Sequence, residues 1–421
     1  MSQLKIYSRS EHNISRQSIS NQALKVLYRL HNAGYRACLV GGAVRDILLG
    51  FQPKDFDIAT DAKPEEIKAL FSNCRLIGRR FKLAHILFGR EIVEVATFRG
   101  HHEESTEGHV EDGRIIRDNV YGSIEEDAYR RDFTINALFY DINDFKVLDY
   151  CNAMQDIETK TLRLIGQADK RYREDPVRML RAVRLATKLN LNIAKDAAKP
   201  LAEMAPLLAA MPGARLWDES HKLFLAGCAL DTFKALEKHQ LLAVLLPLTA
   251  QSIQANSTSR DFIFKALSNT DKRIREQKPL NPGFLYACFL WWPILNAKQK
   301  GIDKGLAPVE AMQRAIAAVI KQQISTIALP RRFTQFMRDV WTLQHRLEFM
   351  RGRNLLKLLE HRCFRAAYDI LVLRAQSGEI DSKSVDWWTE VQTVPPAEQH
   401  KMVTAIRPKH RHKKTRKRAA K

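Results

Sequence analysis

Leu39-Val40-Gly41-Gly42-Ala43-Val44-Arg45-Asp46 is followed a few residues later by Lys54-Asp55-Phe56-Asp57-Ile58, and these two stretches decide the fold. If Asp55 and Asp57 lie on one strand, their side chains point to the same face, about 7 Å apart. Two carboxylates placed in this way can share divalent metal ions, because Mg²⁺ prefers one or two carboxylates together with phosphate oxygens. A lone Asp-x-Asp pair is more often a solvated loop, so the glycines in front of it matter.

The Gly41-Gly42 pair lies between a predicted strand and a predicted helix. Glycines at such a turn let backbone N–H groups approach phosphate oxygens closely. Arg45, one turn into the helix, is placed to reach the same phosphates. An ordinary tight connection has the same pattern, but only one helix separates this turn from Asp55. A phosphate-binding turn beside a metal-binding carboxylate pair predicts nucleotidyl transfer.

Length and composition favour a cytoplasmic protein of two to four domains. The chain has 421 residues, and 45% of them are hydrophobic, which supports real cores. No apolar run is long enough for a membrane span, and residues 1–20 lack the apolar stretch of a secretory signal. The six cysteines are far apart without a CxxC pair, which is typical of reduced thiols rather than disulfides or a zinc site.

The charge indicates a polyanionic partner. The formal net charge is +21, and residues 407–421 hold nine Lys or Arg and no acid. Removing those nine charges leaves +12 on the rest of the chain, so the body is basic in its own right. Phosphate neutralisation with counterion release supplies most sequence-independent affinity for nucleic acids. We therefore predict RNA or DNA binding, with the tail as an added electrostatic arm.

Hydrophobic periodicity predicts alternating helices and strands up to about residue 98. The predicted helices are 21–33, 43–49 and 64–71, and the predicted strands are 35–40, 56–60, 84–88 and 91–98. Residues 100–118 are polar and lack periodicity, so we interpret them as a mobile loop. The histidines in this segment have no carboxylate or cysteine geometry to match, so a surface loop is favoured over a metal site.

Helical periodicity dominates from about residue 155 to residue 395. The predicted helices are 176–189, 197–209, 215–226, 229–239, 261–268, 308–324, 332–347 and 353–375. Prolines at 279–282 and 394–396 indicate boundaries. The pattern predicts a head of about 150 residues that combines helices and strands, then an all-helical body and a disordered basic tail.

A third candidate acid is Glu94, which shares one face of the predicted strand 91–98 with Ile92 and Ala96. That face is apolar, and a buried carboxylate without a partner is costly. A metal ion shared with Asp55 and Asp57 would supply a partner. A salt bridge to a nearby arginine explains the position equally well.

Two later segments place arginines beside acids. In Arg130-Arg131-Asp132-Phe133, Asp132 fits a helix N-cap or first-turn position, and Arg131 is a cation that can reach phosphates. Asp175 precedes Pro176, as an N-cap precedes a proline at the first helical position.

Arg178, Arg181 and Arg184 then recur every three residues and form a basic ridge. Either this ridge is a solvated face, or Asp175 and Arg178 contact a nucleobase edge while the other arginines hold triphosphate or RNA.

These blocks, in this order, resemble the polymerase-β-like nucleotidyltransferases of the class II branch, which contains tRNA CCA-adding enzymes and bacterial poly(A) polymerases. The stretches 73–85, 94–102, 122–127, 279–295 and 354–374 and the basic tail are similar to the poly(A) polymerase branch, so the resemblance covers nearly the whole chain. It implies an α+β fold, with a small mixed-sheet nucleotidyltransferase palm followed by an all-helical neck, body and leg. The implied boundaries are an N-terminal extension at 1–20, the palm at 21–154, the neck at 155–270, the body and leg at 271–400 and the tail at 401–421.

The resemblance also implies roles for the residues above. Asp55, Asp57 and Glu94 are the implied metal ligands and, with Asp132, the implied catalytic acids. The implied nucleotide-binding residues are Gly41, Gly42, Arg45, Arg131, Asp175, Arg178, Arg181 and Arg184. The implied cofactor is Mg²⁺, with ATP as the substrate, and RNA-decay and RNA-chaperone proteins are the implied partners of a monomer.

The sequence therefore predicts an ATP-dependent polyadenylate polymerase that acts on RNA 3′ ends by two-metal nucleotidyl transfer. One alternative is a CCA-adding tRNA nucleotidyltransferase, which shares the palm chemistry but uses CTP on a tRNA acceptor. A second alternative is an RNA-binding protein with an inactive palm, against which the intact Asp55, Asp57 and Glu94 argue.

Overall fold

A computed structural model describes residues 3–78, 82–100, 109–111, 114–117, 120–350 and 355–406, and for the two short segments after residue 100 it describes the backbone. The chain divides into two compact units. The first contains residues 1–211 and 238–241, and the second contains residues 212–237 and 242–421. The candidate residues named above all belong to the first unit.

An eight-stranded mixed sheet forms the centre of the first unit. The strands of the described chain are β1 (Lys5–Tyr7), β2 (Ala37–Val40), β3 (Asp57–Thr60), β4 (Cys74–Ile77), β5 (Leu83–Phe88), β6 (Glu91–Thr97), β7 (His109–Glu111), β8 (Arg114–Arg117), β9 (Leu138–Asp141), β10 (Lys146–Asp149), β11 (Thr161–Leu162) and β12 (Asn192–Ile193). The order across the large sheet is β1-β10-β9-β2-β3-β6-β5-β4. β3 and β6 run parallel, and the other neighbours run antiparallel.

Alternating residues of the central strands enter two different cores. In β2, Leu39 belongs to one buried cluster, whereas Cys38 and Val40 belong to the other. Successive side chains of a strand point to opposite faces, so both faces of this sheet are covered. On one face lies α1, whose buried positions Val26, Leu27 and Leu30 follow the three- and four-residue spacing of the sequence. A strand buried on both faces, such as β2, provides a rigid base for the turn that follows it.

The helices of the first unit surround this sheet and extend beyond it. They are α1 (Asn21–Asn32), α2 (Gly42–Leu48), α3 (Pro64–Leu70), α4 (Ile124–Tyr129), α5 (Ala153–Glu158), α6 (Ala168–Glu174), α7 (Val177–Leu189), α8 (Lys195–Ala198) and α9 (Leu201–Met204). The predicted helix 197–209 is wrong, because Pro200 and Pro206 break this region into α8, α9 and a 3-10 helix at Ala205–Ala210.

The predicted strands differ from the structure in several places, and β4, β11 and β12 were not predicted. Residues 5–7, predicted as part of an extension, form the edge strand β1 and pair with β10. β9 and β10 form a hairpin that the periodicity did not indicate. Within the predicted loop 100–118, β7 and β8 form a separate antiparallel pair, while residues 101–108, including His101 and His102, lie outside the described residues.

The second unit is helical throughout its described residues. Its helices are α10 (Gly213–Phe224), α11 (Ala229–Lys238), α12 (Leu242–Leu245), α13 (Pro247–Ala255), α14 (Ser257–Arg275), α15 (Pro282–Phe289), α16 (Trp291–Asp303), α17 (Pro308–Thr326), α18 (Arg331–Phe349), α19 (Phe364–Gln376), α20 (Lys383–Val391) and α21 (Pro396–Ile406). The implied boundary at residue 270 falls inside α14. Buried indoles tie several helices together: Trp341 donates to the carbonyl of Ala287, and Trp388 donates to that of Leu347.

The α+β architecture is confirmed: a mixed sheet is followed by many helices. Among the helices that the structure describes, none combines the length and the apolar character needed to cross a membrane. The basic tail at 407–421 lies outside the described residues.

Candidate active site

The turn between β2 and α2 has a backbone conformation that favours glycine. Gly41 has φ 67° and ψ −128°, a region in which an L side chain is strained. A Cβ atom on Gly41 would also lie 3.3 Å from Nη1 of Arg131. The turn therefore places backbone N–H groups beside a guanidinium group, which is an arrangement suited to an anion such as phosphate.

Two of the three predicted acids, Asp57 and Glu94, come together through strand pairing. Asp57 is the first residue of β3, and it pairs with Val40 of β2 on one side and with Glu94 of β6 on the other. Glu94 also faces His85 of β5, whose Nε2 lies 3.5 Å from Glu94 Oε1. Glu94 and Asp57 are therefore direct neighbours across two parallel strands.

Asp55 reaches the site by a different route from the one predicted. It lies before the first residue of β3 and is exposed, so Asp55 and Asp57 do not occupy one strand. They are brought together because both line a cavity of about 360 Å³. Gly42 and Arg45 of α2 line the same cavity. The structure thus places the glycine turn and the carboxylate pair in one concave site, as the sequence predicted.

The electrostatics of this site are unfavourable for ionised Asp57. Burial, the charge of Glu94 and the charge of Asp55 together raise the pKa of Asp57 to about 6, although Arg131 opposes the rise. A cation that binds in such a site stabilises the ionised carboxylates, because it removes the repulsion among them. Perturbed carboxylates in a cavity are a feature of functional sites.

The donor set fits a metal ion bound by a carboxylate pair and substrate oxygens. Within the part of the chain that the structure describes, no group of three or more His, Cys, Asp or Glu side chains is arranged to hold a metal ion. Asp55, Asp57 and Glu94 therefore do not form a ready-made three-ligand cage. Mg²⁺ is usually held by one or two carboxylates plus phosphate oxygens. The pair Asp55 and Asp57 fits this pattern, and the roles of Asp55, Asp57 and Glu94 as metal ligands stay predictions.

Arg131 is fixed between the glycine turn and a buried acid. Its Nε and Nη2 donate to Oδ2 of Asp127 at 3.1 and 2.8 Å, and its Nη1 donates to the carbonyl of Asn136 at 3.2 Å. Burial raises the pKa of Asp127, but the charges of Arg131 and Arg130 outweigh it and hold that pKa below its usual value. The guanidinium of Arg131 is thus held in one orientation beside Gly41.

A second network joins α2 to α7 through the segment 132–136. Arg45, only 6% exposed, donates through Nη1 to Oδ1 of Asn136. Asn136 in turn donates through Nδ2 to Oδ1 of Asp132 at 3.0 Å, and Arg181 of α7 donates to Oδ2 of Asp132 at 2.7 Å. Phe133 N–H donates to Asp132 as well. These hydrogen bonds hold the side chains of Arg45, Asn136, Asp132 and Arg181 in fixed positions relative to one another.

This network indicates a positioning role for Asp132, which the sequence predicts to be a catalytic acid. Burial raises its pKa, but Arg181, Asn136 and the Phe133 amide stabilise the ionised form and hold the pKa below its usual value. Both carboxylate oxygens accept hydrogen bonds from the protein itself. The geometry therefore supports a positioning residue at Asp132, and a direct catalytic role for it stays a prediction. Arg181 pairs with this acid, and its contact with a phosphate also stays a prediction.

The start of α7 is organised as the sequence predicted, with an added contact. Oδ1 of Asp175 accepts from the N–H of Val177 at 3.2 Å, so Asp175 caps the helix. Arg178 donates through Nη1 to the carbonyl of Arg171 and to Glu174 Oε2, at 2.8 and 2.9 Å.

Arg178, Arg181 and Arg184 are all partly buried. The interpretation of these three arginines as a fully solvated face is therefore wrong.

Three residues that organise the site were missed by the sequence analysis. Asn136 and Asp127 lie close to the Arg130–Asp132 stretch and hold its side chains. Arg171 donates through Nη2 to the carbonyls of Arg130 and Arg131, at 2.8 and 2.6 Å. Asp127 and Asn136 could have been found from their positions three to five residues from Arg130, Arg131 and Asp132. Arg171 gave no local signal, because the carbonyls that it binds are about 40 residues away.

Three family models match the chain. The model described as "Poly A polymerase head domain" matches residues 37–163, which contain the glycine turn, Asp55, Asp57 and Glu94, and the Arg131 segment. The models "Probable RNA and SrmB- binding site of polymerase A" and "Polymerase A arginine-rich C-terminus" match residues 190–253 and 304–421.

Among curated proteins, a poly(A) polymerase I of Salmonella typhimurium is 48% identical over 429 residues, covering 98% of this chain and 92% of that protein. The chain belongs to the poly(A) polymerase I family. A more distant relative of the family, a CCA-adding enzyme of Geobacillus thermodenitrificans, is 37% identical over 53% of this chain and 54% of that enzyme.

Among solved structures, one titled "tRNA-processing enzyme (apo form I)" matches with a TM-score of 0.62 at 21% identity, covering 94% of this chain and 99% of that one. This likeness supports the nucleotidyltransferase fold for the poly(A) polymerase I family member described here.

Proposed function

We propose that this chain adds AMP residues from ATP to RNA 3′ ends without a template. The observation that carries the proposal is the placement of Asp55 and Asp57 in one cavity with Gly42 and Arg45. Family membership supports the same activity, because the chain is 48% identical to a curated poly(A) polymerase I. The enzyme is then a polynucleotide adenylyltransferase.

In this reaction the 3′-hydroxyl oxygen of the RNA forms a bond with the α-phosphorus of ATP. The bond from that phosphorus to the bridging oxygen breaks, pyrophosphate leaves, and the hydroxyl proton passes to water. Asp55 and Asp57 would hold Mg²⁺, which when bound neutralises the triphosphate and activates the hydroxyl. The carboxylates orient the reacting groups within the cavity, which lowers the entropic part of the barrier.

The protein's own cations contribute at fixed positions. Arg131 lies beside Gly41 and is held by Asp127, so it presents a positive charge to the phosphates without reorganisation during the reaction. Gly41 and Gly42 let the triphosphate approach the backbone. The hydrogen bond from Arg45 to Asn136 holds the Arg45 side chain in place next to this turn.

We assign the incoming nucleobase to Asp175 and Arg178. Two acceptors, the Arg171 carbonyl and Glu174, hold one nitrogen of the Arg178 guanidinium, which fixes the direction of the group. Arg184 would assist by adding positive charge along α7. Glu94 would complete the acidic site as the third carboxylate, next to Asp57, and Asp132 with Arg181 would position the segment 132–136.

Further parts of the proposal follow from charge and family. The basic tail would bind RNA, in a monomeric cytoplasmic enzyme whose polyadenylation promotes RNA decay. RNA-decay and RNA-chaperone proteins are the proposed partners. The implied neck, body and leg at 155–270 and 271–400 would guide the RNA toward the palm at 21–154.

The decisive experiment incubates purified protein with unstructured RNA, Mg²⁺ and each nucleoside triphosphate separately. Homopolymer growth with ATP alone supports the proposal, and chelation of Mg²⁺ by EDTA should stop it. Asp55→Ala and Asp57→Ala should each abolish incorporation while leaving the affinity for RNA within about twofold. Equal loss of RNA binding and activity would indicate misfolding instead.

A CCA-adding activity is the second candidate, favoured by the relative from Geobacillus thermodenitrificans and by the shared fold. It predicts use of CTP and growth limited to two C and one A on a tRNA acceptor. That result would overturn polyadenylation, and absence of any metal-dependent incorporation would favour an RNA-binding protein with an inactive palm.

A further inference from the structure

An exposed aromatic ring lies on the outer part of the active-site cavity. Phe51 lines this cavity and is 50% exposed, although large apolar side chains of this unit are mostly buried. It lies four residues before Asp55 in the chain. A ring that borders the same space as the reactive carboxylates is placed to contact a substrate.

The backbone of Phe51 is fixed by the end of α2. Gly50 has φ 80°, Gly50 N–H donates to the carbonyl of Ile47 at 2.9 Å, and Phe51 N–H donates to the carbonyl of Asp46 at 2.8 Å. These bonds form a Schellman motif, with Gly50 in the left-handed position and Phe51 next to it. The ring is thus carried by an ordered turn rather than by a loose loop.

In most Schellman motifs an apolar residue at the position of Phe51 packs back onto the last turn of the helix. Here the residues at the corresponding helix positions are Arg45 and Asp46, whose charged groups are bound to each other. Phe51 has no ring contact or cation–π contact with any residue that the structure describes. The usual structural reason for an aromatic side chain at this position is therefore missing.

Two lysines border the same cavity. Lys54 and Lys188 are exposed, and neither forms an ion pair within the described ranges of the chain. Lys54 comes from the segment that leads to Asp55, and Lys188 comes from the last turn of α7. The cavity therefore combines one aromatic face with two lysines that form no ion pair among the described residues, which is the chemistry that binds a nucleotide of a single strand.

We propose that Phe51 stacks on the 3′-terminal base of the RNA acceptor, while Lys54 and Lys188 bind the phosphates next to it. This inference rests on the proposed function. The triphosphate of ATP is assigned to the Gly41 turn and its base to α7, so the occupant of the outer cavity is the other substrate. The short distance in sequence from Phe51 to Asp55 brings the terminal 3′-hydroxyl toward the carboxylates.

Stacking also fits an acceptor of variable sequence. Every base has a π-face, so a stacked ring holds the terminal nucleotide without reading its identity. Base–aromatic stacking is worth about 1–3 kcal/mol for each base, which corresponds to about a 5- to 150-fold change in affinity. The half-exposed ring favours the lower end, so we expect about a 5- to 10-fold effect.

The test compares Phe51→Ala, Phe51→Leu and Phe51→Tyr in the full chain. Phe51→Ala and Phe51→Leu should raise KM for an oligoadenylate primer about 5- to 10-fold and leave KM for ATP unchanged, whereas Phe51→Tyr should retain the wild-type values. A primer with 2-aminopurine at its 3′ end should lose fluorescence on binding the wild type and keep it on binding Phe51→Ala. A primer with 2-aminopurine in the middle should not distinguish the two.

Lys188→Ala tests the phosphate contact, with Lys25→Ala as its control. Lys25 is an exposed lysine on α1, outside this cavity. Lys188→Ala should reduce the slope of log affinity against log salt concentration by about 0.7 for single-stranded RNA, and Lys25→Ala should not change it.

The outcomes separate the two hypotheses. If Phe51→Ala raises KM for ATP and not for the primer, the outer cavity holds ATP and the inference is wrong. If neither KM nor the fluorescence changes, the ring has no role in substrate binding. If the wild type does not extend RNA at all, the proposed function is wrong, and the fluorescence of the bound primer still reports on Phe51.

Discussion

Replacing Asp57 with asparagine is expected to stabilise the metal-free protein while it abolishes AMP incorporation. The pKa of Asp57 is raised from 3.8 to about 6, mainly by burial and then by the charge of Glu94. Each pKa unit corresponds to about 1.4 kcal/mol, so at pH 8 the ionised carboxylate costs the folded state at most about 3 kcal/mol. The asparagine side chain has nearly the same shape and no charge.

The pH dependence follows from the direction of the shift. Because the folded-state pKa lies above the unfolded value, the folded state holds the proton more tightly. The contribution of protonated Asp57 is therefore fully present below about pH 4 and is lost as the pH rises through about 6. Urea unfolding in EDTA should show Asp57→Asn more stable than the wild type by roughly 1–3 kcal/mol at pH 8, with the difference closing toward pH 4.

Metal ions should reverse this order of stability, so that the wild type becomes more stable than Asp57→Asn. Mg²⁺ at pH 8 should raise the free energy of unfolding of the wild type and leave that of Asp57→Asn nearly unchanged, since ligands stabilise the state that binds them. Asp144→Asn is the control, because the Asp144 side chain is 62% exposed and its pairing with Lys146 at the surface is worth little. A variant that is no more stable than the wild type at pH 8 would refute the proposed electrostatic strain at Asp57.

Three further predictions test other parts of the site. Asp132→Ala should lower the free energy of unfolding at pH 7 by about 3 kcal/mol, because it removes the acid paired with Arg181. Adding Arg181→Met should recover part of that loss in urea unfolding. Unchanged stability with lost activity would support a catalytic role for Asp132. Gly41→Ala should lower the free energy of unfolding by about 1–2 kcal/mol through its positive φ and raise KM for ATP. Gly42→Ala should leave the free energy of unfolding nearly unchanged, because its Cβ would lie an ordinary 3.5 Å from Arg45. Equal effects of the two variants in thermal unfolding would contradict the conformational argument. Truncation before Arg407 removes nine basic residues and should reduce the salt slope of RNA affinity by up to about 6; an unchanged slope would mean that the tail does not contact RNA.

Local patterns predicted the elements that carry the site. The spacing of Ala23, Leu27 and Leu30 predicted α1, the glycines predicted the β2–α2 turn, and the apolar runs predicted β5 and β6. These features depend on residues that are close in sequence, so the periodicity of side-chain burial is enough to find them. The edge strand β1 escaped detection because it has three residues and Ile6 is 53% exposed, which leaves no alternating pattern.

Partners that are distant in sequence could not be predicted in this way. The carboxylate of Asp132 is paired with Arg181, 49 residues away, and Arg45 is bound to Asn136, 91 residues away. The residue types indicate whether each side chain is a donor or an acceptor, but they do not identify its partner. The arginines of α7 form separate pairs instead of one ridge: Arg178 pairs with Glu174, four residues earlier, and Arg181 pairs with the distant Asp132.

The pairing of β1 with β10 has a consequence for synthesis on the ribosome. Lys5 pairs with Asp149, so the first strand to emerge must wait until more than 140 further residues have been made. At roughly 5–20 residues per second this delay is about 7–30 s. During that interval β1 has no neighbour, and a nascent-chain binding factor or a fused solubility domain at this end should increase the yield of correctly folded enzyme.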